Sequence, residues 1–203
     1  MDQNITHSSL EILYSVSREL ATTLELRTVL ANILTLSTEN MNAERASLIV
    51  LDSLGNPMDA AILYNGSLIP HTVDQLRDVV TSGLAGWVVK NKQPALINNT
   101  QEDERWLVRP NQELVDPGRS ALCVPLMARE KLVGVLTIVH RTVNFFSEDR
   151  FSLQKAIADM AGIAIHNAQL FQEVQEAHHR YRDLFEKSIN PILVTLMDGR
   201  IME

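Results

Sequence analysis

The stretch SALCVPLMAREKLVGVLTIVH, residues 120–140, decides the fold, because it holds two apolar runs separated by a short charged turn. Runs of this length that are rich in Val, Ile and Leu and bounded by turn residues are typical of β-strands. Residues 120–127 and 131–140 are therefore predicted to pair as an antiparallel hairpin. The turn falls at Ala128, Arg129 and Glu130.

Outward from this hairpin, the same strand pattern occurs earlier in the chain, at 46–51 and 58–64, with Gly, Asn and Pro between the runs. Apolar residues spaced by three and four predict helices on both sides of the strands. The predicted helices cover residues 8–24, 26–40, 73–80, 84–91 and 147–187, and a short strand starts at Ala95. The polar, proline-containing segment 99–119 is predicted to be a long loop, a length that is usually functional or mobile.

The last predicted helix carries a seam that alternates steps of four and three, as in a coiled coil. The seam consists of Leu153, Ile157, Met160, Ala164, Asn167, Phe171, Val174 and His178. Ser147 is the predicted N-cap, and the helix would be roughly 60 Å long at 1.5 Å per residue. Two readings stay open for the first half of the seam: it faces a second copy of the chain, or it packs on the chain's own sheet.

Composition excludes several classes of protein. The chain has 203 residues, a net charge of −7, and a single cysteine. It lacks a 20-residue apolar run, a signal peptide, a basic cluster and a cysteine-rich zinc motif. We therefore expect a cytoplasmic protein without a membrane span and without nucleic acid as a direct partner. Neither an HExxH motif nor a phosphate-loop lysine is present, so no catalytic residue and no metal ligand is predicted.

Three stretches resemble a GAF domain, a small-molecule-binding relative of PAS domains found in bacterial signalling proteins. They are LEILYSVSRELATTLELRTVLANIL, GLAGWVVKNKQPALINN and SALCVPLMAREKLVGVLTIVHR. The resemblance implies an α+β fold with a central antiparallel sheet. The N-terminal helix pair and the C-terminal helix would cover one face, and small helices and a loop would cover the ligand face.

Residues 181–203, YRDLFEKSINPILVTLMDGRIME, resemble the opening of a PAS domain, and the Asp-Gly pair within them is a hairpin signal. The resulting division is a GAF domain at 1–170, a coiled-coil signalling helix at 171–184 and an incomplete PAS domain at 185–203. We expect this piece to be the front of a longer protein.

The ligand-pocket candidates follow from the resemblance and from residue chemistry: Trp87, Trp106, Arg119, Cys123 and His140. The tryptophans offer aromatic walls and Arg119 a convergent charge, which would suit a planar or anionic ligand. Cys123 could attach a bilin and His140 could ligate haem, as in some GAF relatives. However, Cys123 lacks the histidine that usually follows in bilin-binding relatives, and a strand-end histidine is more often structural.

The cyclic-nucleotide-binding GAF relatives carry a motif whose match here is HRTVNFFSEDR. Phe145 and Asp149 are kept, while the motif's asparagine and glutamate are lost. The departure weakens the cyclic-nucleotide interpretation and leaves an Arg141–Asp149 ion pair as a structural expectation. No cofactor is required by the sequence, and the identity of any ligand stays open.

The sequence favours a homodimeric sensory module that binds a small molecule and relays the signal through helices to a C-terminal output domain. A sensor histidine kinase is the first expectation for the full-length protein. A diguanylate cyclase or a transcriptional activator is an alternative output, and a ligand-free structural dimerisation domain is an alternative function.

Overall fold

The computed structural model of the chain describes residues 2–69, 80–81, 83–107 and 118–186. Its helices are α1 (Asp2–Leu20), α2 (Leu26–Met41), α3 (Leu84–Asn91) and α4 (Glu148–Glu186). Its strands are β1 (Arg45–Leu51), β2 (Pro57–Tyr64), β3 (Ser67–Ile69), β4 (Ala95–Ile97), β5 (Ser120–Ala128) and β6 (Lys131–His140). Most of the predicted helix at 73–80 and nearly all of the predicted PAS segment lie outside the described residues.

All six strands pair antiparallel in one sheet, in the order β3-β2-β1-β6-β5-β4. The β5–β6 hairpin predicted from residues 120–140 is confirmed, with Cys123 opposite Thr137 and Ala128 opposite Lys131. The register shifts between Leu126 and Met127, which is a bulge in β5. The short strand β3, which the sequence did not predict, follows the positive-φ residues Asn65 and Gly66 and pairs with the end of β2.

The prediction that the first helix continues to Leu24 is wrong, since α1 ends at Leu20. The Thr22 hydroxyl donates to the Glu19 carbonyl, which caps the last turn of α1. Glu25 then begins α2, because its carboxylate accepts hydrogen bonds from the N–H groups of Arg27 and Thr28. The cap at Thr22 ends α1 and the cap at Glu25 begins α2, although the helical spacing of apolar residues continues to Leu24.

Buried residues divide into two clusters, one on each face of the sheet, because successive strand residues point to opposite sides. The helix-side cluster joins strand residues such as Leu122 and Leu136 to α1, α2 and α4. The pocket-side cluster joins Cys123, Val135 and their neighbours to α3. This is the predicted α+β arrangement, with the long helices on one face of the sheet and a small helix on the other.

The chain separates into two compact units, Met1–Ala168 and Gln169–Glu203, and α4 contributes to both. In the first unit, α4 buries a stripe against the sheet that includes Ala158, Ala161 and Ile165. At the closest approach, a Cβ added to Gly162 would collide with the backbone of Met127 at the β5 bulge. Glycine is therefore the residue that lets α4 lie directly on the strand.

Candidate functional site

The helix α3 brings Trp87 over the pocket-side face of the sheet. Gly83 is its N-cap, and Gly86 lies so close to the Val80 carbonyl that any side chain there would collide with it. Leu84, Ala85 and Val88 are buried in the pocket-side cluster, while Trp87 is half-buried at its margin. The indole thus has one face on the core and the rest available to the loop that follows β4.

That loop places Arg105 on Trp87. The Arg105 guanidinium carbon lies 5.0 Å from the centre of the Trp87 ring, within the range of a cation–π interaction. The same guanidinium donates two hydrogen bonds to the Asp103 carboxylate, from Nε at 2.9 Å and from Nη2 at 2.6 Å. Trp106 is also half-buried against the pocket-side cluster. Both tryptophans of the chain therefore pack against the pocket-side cluster.

The Asp103–Arg105 pair is ionised at neutral pH. The hydrogen bonds from the Arg105 guanidinium are the main reason that the pKa of Asp103 is lowered, and the same hydrogen bonds raise the pKa of Arg105. Because the two side chains are 21% and 31% exposed, solvent screens the pair, and its contribution to stability is about 1 kcal/mol or less. The pair holds the guanidinium over the indole.

Arg119, the predicted pocket cation, lies at the base of the loop. Its N–H donates to the Thr100 hydroxyl at 3.0 Å, and its carbonyl accepts from the Thr100 N–H at 2.8 Å. These bonds join the start of the loop to the strand that follows it. The structure places Arg105, which the sequence analysis missed, against the tryptophan. The available signal was the run DERW, in which the cation directly precedes Trp106.

Cys123 lies on the pocket side but is completely buried within it. Its thiol is 3.2 Å from the Thr137 hydroxyl on the paired strand. Burial raises the pKa of this thiol to about 12, so it is uncharged at neutral pH. An uncharged, buried thiol is a poor nucleophile, and Cys123 acts as a core residue beneath the site.

The prediction that His140 belongs to the pocket is wrong, because the side chain lies on the other face of the sheet. Val139 is in the pocket-side cluster, so the next residue along β6 points to the helices. The His140 ring stacks on Phe145, with 3.4 Å between ring centres and 9° between ring planes. Its Nδ1 accepts from the Thr142 N–H at 3.0 Å. His140 is therefore a packed structural histidine.

Arg150 takes the structural role that the sequence assigned to an Arg141–Asp149 ion pair. Arg141 and Asp149 are both exposed and, within the described part of the chain, do not pair with each other. The Arg150 guanidinium lies 4.5 Å from the Phe145 ring centre and donates to the Met41 carbonyl at 3.4 Å. This arginine joins the start of α4 to the end of α2.

The predicted seam residues have different surroundings. Ile157 is fully buried in the chain's own helix-side cluster, so it is a core residue with no surface left for a second chain. Leu153, Met160 and Ala164 are half-buried against the same cluster. The later seam positions are exposed: Asn167, Phe171, Val174 and His178. Ile157 therefore fits the hypothesis that the first half of the seam packs on the chain's own sheet.

Two further observations concern the described ranges only. Among residues 2–69, 80–81, 83–107 and 118–186, no three His, Cys, Asp or Glu side chains come together in a way that could hold a metal ion. No helix in these ranges combines the length and the apolar character that a bilayer crossing requires.

The sequence matches the family model of the GAF domain over residues 25–165, which is more than two thirds of the chain. This range runs from the Glu25 cap of α2 to Ile165 in α4 and includes the whole sheet. The chain therefore belongs to the GAF domain family, a class of sensory and regulatory domains.

Curated relatives with different activities share this segment. The probable 3′,5′-cyclic phosphodiesterase pde-5 of Caenorhabditis elegans is 24% identical over 165 residues, which are 78% of this chain and 23% of that protein. An uncharacterized sensor-like histidine kinase of Chloroflexus aurantiacus is 25% identical over 189 residues, 92% of this chain and 30% of that protein. The chain thus spans less than a third of these relatives.

Solved structures agree in fold. The GAF domain of a phosphoenolpyruvate-protein phosphotransferase from Coxiella burnetii superposes with a TM-score of 0.63 at 18% identity, covering 81% of this chain and 96% of that one. Free methionine-R-sulfoxide reductase from Neisseria meningitidis, solved with its substrate, gives a TM-score of 0.59 at 15% identity, with 80% and 90% covered. At these identities the likeness is one of fold.

Proposed function

We propose that the chain is a homodimeric GAF sensor that binds a small molecule between α3, the loop after β4 and the pocket-side face of the sheet. The observation that carries the proposal is the stacking of Arg105 on Trp87, with Trp106 packed against the same pocket-side cluster. Aromatic walls with a single oriented cation are the lining expected for a planar or anionic ligand.

The contact between Arg105 and Trp87 suggests how a ligand would be detected. A planar ligand that stacks on Trp87 has to displace the guanidinium, since both use the same face of the indole. The displaced Arg105 would exchange its hydrogen bonds to Asp103 for hydrogen bonds to an anionic group of the ligand. Binding would in this way change the position of the loop relative to α3.

The route from this site to α4 runs through β5. Cys123 lies beneath the site on one face of β5, and Met127 of the same strand touches α4 at Gly162. Backbone packed this closely cannot deform gradually, so a shift of β5 favours one of a few positions of the helix. Ligand binding would bias this choice, provided that the ligand binds one arrangement better.

The output domain is a second part of the proposal. A C-terminal histidine kinase is favoured, because the sensor-like histidine kinase relative matches 92% of this chain. The phosphodiesterase relatives carry a matching segment beside a different activity, so a diguanylate cyclase or a transcriptional activator stays as an alternative output. We retain the proposed boundaries 1–170, 171–184 and 185–203, and a cytoplasmic location.

The competing function is a ligand-free dimerisation domain. It would use the same exposed seam residues on α4 and leave the Arg105–Trp87 contact as permanent packing. The two functions differ in whether the site on α3 ever holds a molecule.

Native mass spectrometry of the protein purified from the organism that makes it separates the two functions. We expect a bound small molecule, and we expect the Trp87→Ala variant to lose it. The exposed Tyr14→Ala variant is the matched control and should keep it. A wild-type protein that carries no small molecule from its own cells would support the structural function.

A further inference from the structure

A cavity lies near the β3 edge of the sheet, between α2 and the strands β2 and β3. It has a volume of about 430 Å³, which falls within the range of small-molecule sites. β1 and β6 separate β2 from β5, so this cavity is distinct from the proposed ligand site beside Trp87. We refer to it as the edge groove.

The wall of the edge groove is apolar. On the helix side of the sheet, Leu30 and Ala31 come from α2, Ala61 from β2 and Leu68 from β3. Leu68 is 54% exposed, although it is a large aliphatic residue. An aliphatic ligand would remove this surface from water, and each buried CH₂ group would contribute about 0.8 kcal/mol.

Two opposite charges line the same groove. Arg27 stands in the first turn of α2, and Asp59 stands on β2. One Asp59 oxygen accepts the Ala60 N–H at 2.7 Å. The exposed Arg27 side chain interacts electrostatically with the Glu25 carboxylate. Within the described residues, the second Asp59 oxygen has no hydrogen-bond or ion-pair partner, and Arg27 and Asp59 do not pair with each other.

Opposite charges on α2 and β2, which do not pair with each other, and the aliphatic wall beside them define the chemistry of the ligand. A guanidinium recognises a carboxylate through two parallel hydrogen bonds, and a carboxylate recognises an ammonium group. We propose that the edge groove is a second ligand site, which binds a small zwitterion with an apolar side chain, such as a free apolar amino acid. This proposal does not depend on the ligand site beside Trp87.

Binding of L-leucine and L-phenylalanine to the full 203-residue chain tests the proposal, with the amide signals of Leu30, Ala61 and Leu68 followed by NMR. At least one of the two amino acids should shift these signals saturably. Leucinamide lacks the carboxylate and 4-methylpentanoate lacks the amine. Each should bind roughly tenfold more weakly or worse than leucine, since each loses one charge-assisted contact.

Charge-neutral variants identify the recognising residues. Arg27→Gln and Asp59→Asn should each lower the affinity for the amino acid by roughly tenfold or more, because each leaves one ligand charge unpaired. Arg129→Gln and Asp159→Asn, which do not line the groove, are the matched controls and should bind normally. Unchanged thermal unfolding of all four variants excludes a folding defect.

Two results would overturn the proposal. One is the absence of a saturable shift at the groove with either amino acid. The other is equal binding of leucine, leucinamide and 4-methylpentanoate. The emission of Trp87 and Trp106 reports the first site separately, so a ligand detected only by the tryptophans would contradict the edge groove and leave the sensor proposal standing.

Discussion

Cys123 shows how a residue's position in the sheet decides its chemistry. The thiol is completely buried in the pocket-side cluster and close to the Thr137 hydroxyl, and its pKa is raised to about 12. The thiolate, which is the reactive form, is therefore scarce at any pH that the folded protein tolerates.

We predict that Cys123 in the folded protein does not react with a disulfide reagent such as DTNB at pH 8, and that it reacts at once in denaturant. The absorbance of the released thiolate measures both rates, and Cys123→Ala supplies the blank. A reaction rate in the folded protein close to that of a free thiol would show that the Cys123 thiol is accessible to solvent.

His140 gives the fold a dependence on pH. Burial is the main reason that the pKa of His140 lies below its ordinary value of 6.5, so the folded protein holds the neutral ring. As the pH falls below 6.5, the unfolded chain takes up the proton first, and stability is lost until the folded pKa is reached. The stabilisation is fully present above pH 6.5.

The variant His140→Gln, which cannot titrate, should therefore lose less stability than the wild type between pH 7 and pH 5. Urea unfolding at each pH measures the difference, and His179→Gln on the exposed part of α4 is the control. Parallel pH profiles for the wild type and His140→Gln would show that the stacked histidine is not the titrating group.

At the scale of elements, the contact between α4 and β5 depends on the absence of one side chain. Gly162 to Ala removes the helix penalty of glycine, a gain of about 1 kcal/mol, but it drives a methyl group into the Met127 backbone. Overpacking of this kind typically costs about 1–3 kcal/mol.

We predict that Gly162→Ala lowers the free energy of unfolding by up to about 2 kcal/mol, because the cost of the clash exceeds the gain in helix propensity. Ser152→Ala, an exposed position on the same helix, should change stability by only a few tenths. Denaturant unfolding compares the two variants. A stabilised Gly162→Ala protein would mean that α4 does not rest on the β5 bulge.

The loop after β4 should respond to its own ion pair. Asp103→Asn removes the carboxylate that holds Arg105 on Trp87, so the emission of the two tryptophans should change in intensity or wavelength. Glu104→Gln, a neighbouring change that leaves the pair intact, is the control. Identical spectra for wild type and Asp103→Asn would contradict the proposed role of the pair in orienting Arg105.

The strands other than β3 and the long helix were predictable because their patterns are local. The runs at 120–127 and 131–140 have strand composition, and Ser147 marks the start of α4, where its hydroxyl accepts the Arg150 N–H. The end of α1 and the contact of Arg105 with Trp87 were not predictable in this way. Competing capping interactions decide where α1 ends. The contact of Arg105 with Trp87 joins residues that are 18 positions apart in the sequence.

His140 and Ile157 illustrate the other limit of the sequence. A strand-end histidine has two faces available, and only the register with neighbouring strands shows that His140 points to the helices. The seam at Ile157 fits a coiled coil and an amphipathic core helix equally well. The packing of α4 on the sheet distinguishes them for Ile157.

At the scale of the whole molecule, the exposed seam residues of α4 carry the prediction of a dimer. Phe171 is 42% exposed and Val174 is 65% exposed. Two such helices in parallel would remove this apolar surface from water. Phe171→Asp should therefore give a monomer by light scattering, whereas Gln172→Asp, one position off the seam, should remain dimeric. A Phe171→Asp variant that stays dimeric would contradict the seam.

The central claim is that a small molecule on the pocket side changes how α4 sits on the sheet. Hydrogen–deuterium exchange compares the protein as purified from its own cells with the same protein after unfolding, dialysis and refolding. The ligand-free form should exchange faster at 84–107, and it should also differ at 157–165 around Gly162. Identical exchange in both segments would contradict the account.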